Sequence, residues 1–203
     1  MALLEEYKAH TAERAELGVP PLVLTADQTA QLVELLKATP IAEADYVMEL
    51  FTQKVPAGVD DAAYVKAAFL NDILEGNATC DTINKTQACE ILGDILGGFN
   101  VQPLVKALND AEVAEVAATQ LKNTILMYDA FNDVKSMMDA GNAKAKEVVE
   151  SWANADWFFN KPQMEKEITL TVYKITRETN TDDLSPASEA FKRAEIPNHD
   201  NTL

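Results

Sequence analysis

Through roughly the first 160 residues the apolar side chains return every three or four positions, and close to Lys161 that rhythm gives way to alternation. A chain patterned this way must bury long amphipathic stripes against one another, and can pleat only beyond that change of period. The stretch TADQTAQLVELLKATP is the clearest case. Ala30, Val33 and Leu36 share a stripe with Leu32 and Leu35 beside it, Thr25 and Gln28 have the spacing of a capping box, and Pro40 stops the run. The same period runs through EADYVMELFTQK, DDAAYVKAAFLNDILEG, KTQACEILGDILGG, QPLVKALN, AEVAEVAATQLKNTILMYDAFNDVKSMMDAG and NAKAKEVVESWANADWFFN. Gly76, Gly97, Gly98 and Gly141 stand where C-caps are expected, and Pro103 stands near a helix start. Roughly seven to nine helices are predicted, with connections short enough for antiparallel hairpins. Stacked hairpins of about 40 residues would make a HEAT-like solenoid. The letters hold no strict repeat, so a short solenoid and an irregular bundle both remain open on periodicity alone.

From Ile168 to Ile175 the residues are β-branched, aromatic or alternating, with Ile168, Leu170 and Val172 on one face and Thr169, Thr171 and Tyr173 on the other. A strand opening a second domain is expected there, with NKPQMEKE and its Pro162 as linker, dividing the chain into 1–160 and 161–203. At 203 residues there is room for one domain and part of another, which points to an incomplete second unit. A formal charge of −16 repels phosphate backbones and anionic lipid, and so argues against nucleic acid and membrane as partners. No apolar run approaches the roughly 18 to 20 residues that span a bilayer. Two cysteines and no leader-like N-terminus favour a reducing cytoplasm.

Candidate chemistry is sparse. Cys80 and Cys89 lie nine positions apart with no histidine nearby, so they read as two structural thiols and not as a metal site. Neither His10 nor His199 has a serine, cysteine or paired carboxylate at informative spacing. ILGDILGGFN reads as a helix end, not as a phosphate loop. Trp152, Trp157, Phe158 and Phe159 read as a hydrophobic seam, and Met137 and Met138 as core. TNTDDLSPA, with Asp182, Asp183, Ser185 and Pro186, follows the expected strand and is, on composition, a turn.

LLEEYKAHTAERAELGVPPLVLTADQTAQLVELLK, VPAGVDDAAYVKAAFL, GGFNVQPLVKAL, ESWANADWFFNKP and LTVYKITRETNTDDLSPA resemble, in order and spacing, the N-terminal region of the aconitase B family, up to about Pro197. The resemblance implies a mainly α, HEAT-like helical domain followed by the start of a swivel domain whose first strand leads into the Asp-Leu-Ser-Pro-Ala turn. It implies a role in interconverting citrate and isocitrate through cis-aconitate, with a [4Fe-4S] cluster on three cysteines acting as Lewis acid in the full-length enzyme. Arg193, six residues beyond Ala187, falls where the family places a substrate-binding arginine, and a guanidinium suits a tricarboxylate because it binds a carboxylate in two parallel hydrogen bonds. Asp182, Asp183 and Ser185 are expected to shape the loop. The cluster cysteines and the serine base belong to later domains of the family, so the chain is expected to be inactive alone, as an engineered piece or a truncated gene product. The helical domain is then an interaction domain, for homodimer formation, for docking of partners and the remaining domains, and for enclosing the route to the active site. The alternative is a free-standing helical scaffold or regulatory module. RNA binding, implied by the family's iron-depleted regulatory role, is opposed by the lack of a basic patch.

Overall fold

Thr25 accepts a hydrogen bond from the Gln28 N–H while the Gln28 side-chain oxygen accepts one from the Thr25 N–H, so the expected capping box starts a helix at Ala26. Asn84 and Gln87 repeat the device ahead of Lys85, and Asn142 caps the last helix by accepting from Lys144 and Ala145. The computed structural model describes residues 2–95, 97–124, 128–155, 166–172 and 174–176; the side chains of Tyr128 and Asp129 fall outside that set. Among the described residues there are nine helices: α1 Ala2–Glu16, α2 Ala26–Leu36, α3 Ala44–Gln53, α4 Asp61–Glu75, α5 Lys85–Gly93, α6 Val101–Ala107, α7 Ala114–Lys122, α8 Tyr128–Asp139 and α9 Ala143–Ala153.

Sequential neighbours pack in pairs, α2 on α3, α4 on α5, α6 on α7 and α8 on α9. Each pair also touches the next, through α2 with α4, α5 with α7 and α7 with α9. One continuous apolar core results, from Leu3 and Leu4 at one end to Val148 and Trp152 at the other. Phe51 and Phe69 meet edge to face with ring centroids 5.9 Å apart, locking α3 to α4. Trp152 is buried, and its Nε1–H donates to the Leu121 carbonyl at 2.8 Å, which fixes α9 to the end of α7. Met137 and Met138 pack, half-buried, on the core as expected.

Three expectations about the helices are corrected. The buried stripe of α2 is Thr29, Leu32, Val33 and Leu36, while Ala30 faces out, because these four positions complete the i, i+3, i+4, i+7 set. The helix expected through KTQACEILGDILGG ends at Gly93, so Gly97 and Gly98 belong to the loop before α6 and not to a C-cap; Gly76 does cap α4 in the left-handed conformation. The long run after Glu112 is divided into α7 and α8. Ile168 and its neighbours form no strand among the described residues 166–172 and 174–176, all of which are exposed. Pleated backbone needs a neighbour for its N–H and C=O groups, and none is paired with it there.

Candidate functional site

Among the described residues no group of three or more His, Cys, Asp or Glu side chains is placed to hold a metal ion. No described helix is long and apolar enough to cross a membrane. Arg193, expected to bind substrate, and Asp182, Asp183 and Ser185, expected to shape its loop, lie outside the described residues, as do His199, Trp157, Phe158 and Phe159.

The other titratable candidates have structural tasks. Cys89 is fully buried in α5, and burial pushes its thiol up to about 11, which keeps it neutral and unreactive. Cys80 is half-buried with Sγ 3.3 Å from the Thr82 hydroxyl. Lys66 was not singled out by the sequence, yet it is only 5 % exposed. Its Nζ sits 5.2 Å from the centre of the Phe51 ring, and burial draws its pKa down to about 8 against the opposing pull of Asp94. Nothing in the run AAYVKAAFL distinguishes a sealed cation from a solvated one.

The surface between α1 and α2 is built differently. Tyr7, His10 and Arg14 stand at i, i+3 and i+7 on α1, so all three face the connecting segment. Tyr7 Oη donates to the Leu22 carbonyl at 2.7 Å, His10 Nε2 accepts from the Leu22 N–H at 3.0 Å, and Arg14 Nε donates to the Pro20 carbonyl at 2.9 Å. Leu24 N–H donates to the Lys54 carbonyl at 2.8 Å, anchoring the far end. His10, a candidate for catalysis by residue type, is therefore a ring that accepts a backbone hydrogen bond and meets Tyr7 at a tilt, with ring centroids 5.8 Å apart. With its backbone fastened, the segment turns its side chains outward: Leu17 is 68 % exposed, Leu22 58 % and Val23 56 %, with Val19 beside them. The sequence carried a signal for this strap, since GVPPLVL is an apolar run with two prolines where a polar connection would be ordinary.

Over the whole chain acidic residues outnumber basic ones, giving a formal charge of −16. Lys8, Lys37, Lys85, Lys106, Lys122 and Lys144 each hold a carboxylate of the same chain within ion-pair distance. Lys144 bridges Glu147 on its own helix and Glu115 on α7, and both partners raise its pKa, Glu115 more strongly. Lys85, hydrogen-bonded at 2.7 Å, likewise holds Asp110 below the usual carboxylate range. With so many cations held by local partners, the excess charge that faces outward is carboxylate.

Comparison with known proteins gives two consecutive matches. The family model for the aconitate B N-terminal domain matches residues 6–158, and that for the aconitate hydratase 2 N-terminus matches residues 170–203, a span containing Asp182, Asp183, Ser185 and Arg193. Among curated proteins, the chain is 53% identical over 197 residues to aconitate hydratase B of Pseudomonas aeruginosa and 50% identical over 197 residues to that of Escherichia coli. It is 49% identical over 199 residues to aconitate hydratase B of Synechocystis sp.. Each alignment takes in 97% of this chain and 23% of the relative, so the chain spans about a quarter of the length of the proteins it matches.

Proposed function

The chain belongs to the aconitase B family, through that family's N-terminal domain, and from this we propose that it supplies the helical interaction domain and one wall of the substrate site of an aconitate hydratase. The observation that carries the reading is the order of two family matches, over 6–158 and then over 170–203, the second containing the Asp-Leu-Ser-Pro-Ala sequence. In the assembled enzyme the reaction is removal and return of water between citrate and isocitrate through cis-aconitate. Arg193 clamps a substrate carboxylate by two parallel hydrogen bonds, and Asp182, Asp183 and Ser185 shape the loop that presents it. The paired helices form a HEAT-like stack over 1–160, and 161–203 opens the swivel domain. The enzyme works in the cytoplasm, and its helical domain contributes to assembly, as a homodimer and with the remaining domains.

A [4Fe-4S] cluster does not fit the residues of this chain. Three thiolates are needed, the sequence has two cysteines, and Cys89 is a buried thiol held neutral. The cluster belongs to other parts of the assembled enzyme, where it would supply Lewis acidity toward the substrate hydroxyl and carboxylate. The reading is tested in two assays. The isolated chain, incubated with iron and sulfide, is expected to form no cis-aconitate from citrate; turnover by pure protein would refute it. In the assembled enzyme Arg193→Lys is expected to lower kcat/KM for citrate by about 100-fold, since lysine replaces a two-point clamp with a single point charge.

A further inference from the structure

We propose that the apolar strap of residues 17–23 docks a cationic amphipathic helix of a separate protein, with apolar side chains of that helix meeting Leu17, Leu22 and Val23, and its lysines or arginines meeting Glu6, Glu13 and Glu16. This rests on the reading of the helical body as an interaction domain, and adds to it the location and the chemistry of the partner.

The strap offers side chains and not backbone. Both the N–H and the C=O of Leu22 are engaged by α1, the Pro20 carbonyl is engaged by Arg14, and the two prolines have no N–H to give. A partner strand therefore cannot add along it, which removes edge pairing as the mode of recognition. What remains is a run of apolar side chains that the described residues leave exposed, and an exposed apolar run of this kind marks a contact surface. A helix laid across it buries those side chains without disturbing their support.

Charge selects the partner. Glu6 and Glu13 bracket His10 at helical spacing, so they lie along the ridge from which His10 reaches Leu22, and Glu16 immediately precedes Leu17; all three glutamates are exposed. Lys8 is tied to Glu5 and Glu43, and the Arg14 Nε–H is directed at Pro20. A second copy of the chain is a poor occupant: a two-fold contact would bring the glutamate ridge against itself. Phosphate backbones and anionic lipid are repelled by the same carboxylates and by the formal charge of −16. A helix with one apolar face and flanking cations satisfies both features.

The experiment titrates the full 203-residue chain with a labelled synthetic helix of leucine and lysine at physiological salt, read by anisotropy, with amide exchange locating the contact. Binding is expected to protect residues 17–23, to weaken at least tenfold in Leu22→Ser/Val23→Ser, and to weaken in Glu13→Gln/Glu16→Gln, with thermal melting unchanged in each. Val59→Ser, at a comparably exposed apolar position, is expected to keep wild-type affinity. Equal affinity of the strap variant and wild type would overturn the proposal in favour of general charge attraction, and equal loss in Val59→Ser would overturn it in favour of nonspecific apolar contact. It would also be overturned if sedimentation showed a dimer abolished by Leu22→Ser/Val23→Ser, or if strap amides were already protected in the assembled enzyme. Failure of the broader reading registers separately, as hydratase turnover by the isolated chain.

Discussion

Lys66 places an ammonium where water would be a better host, and the consequence depends on pH. Its folded-state pKa of about 8 lies below the ordinary 10.5, so above about pH 8 the unfolded chain binds more protons than the folded one. The destabilisation is therefore complete below about pH 8 and fades as pH climbs toward 10.5. Lys66→Met is expected to stabilise the protein by about 2 kcal/mol near neutrality, with the gain shrinking across that window in urea midpoints. A pH-independent loss would mean that the contact with Phe51 outweighs desolvation. Cys89 gives the opposite case, a thiol kept neutral by its surroundings. In the native protein iodoacetamide is expected to label the half-buried Cys80 and to reach the fully buried Cys89 only after unfolding, as peptide mass mapping would read. At this scale the sequence was legible where chemistry is local. Thr25 and Gln28 announce their box by spacing alone, whereas the burial of Lys66 depends on which faces of α3 and α4 meet, and no short window contains that.

The elements were legible in number and type, and less so in extent. Apolar rhythm continues past the end of α5 because Ile95 is buried and Phe99 half-buried although the backbone there has left the helix. The loop that follows is held by close approach. A Cβ at Gly97 (φ +99°) would lie 2.2 Å from the Gly58 carbonyl carbon, and one at Gly98 (φ +101°) would meet nothing within 4 Å. Both positions are left-handed, so both alanine variants carry conformational strain of about 1 kcal/mol. Gly97→Ala is expected to lose well over that in denaturation midpoints because backbone must move, and Gly98→Ala no more than the strain. Similar losses would show that the loop yields freely. The alternation at Ile168–Ile175 was equally visible in the letters, but a strand is a relation between segments, and its neighbours are not written in the same window.

Taken as a whole, the molecule is a helical body from which residues 166–172 and 174–176 stand exposed. Trypsin is expected to cut after Lys166 or Lys174 long before it attacks the helices, and the trimmed body is expected to melt at the temperature of the intact chain, by circular dichroism. A lowered melting temperature would show that the tail supports the core. The change of period near residue 160 was readable in the letters, while the positions proposed to touch substrate were readable only by resemblance, since one arginine in a charged segment has no periodic signature. The strap between α1 and α2 separates what holds the chain together from what it shows to the outside: Tyr7, His10 and Arg14 grip only main-chain atoms there. Its outward side chains can thus be exchanged without endangering the scaffold, so the preference of this face for a partner can be retuned while the architecture stays the same.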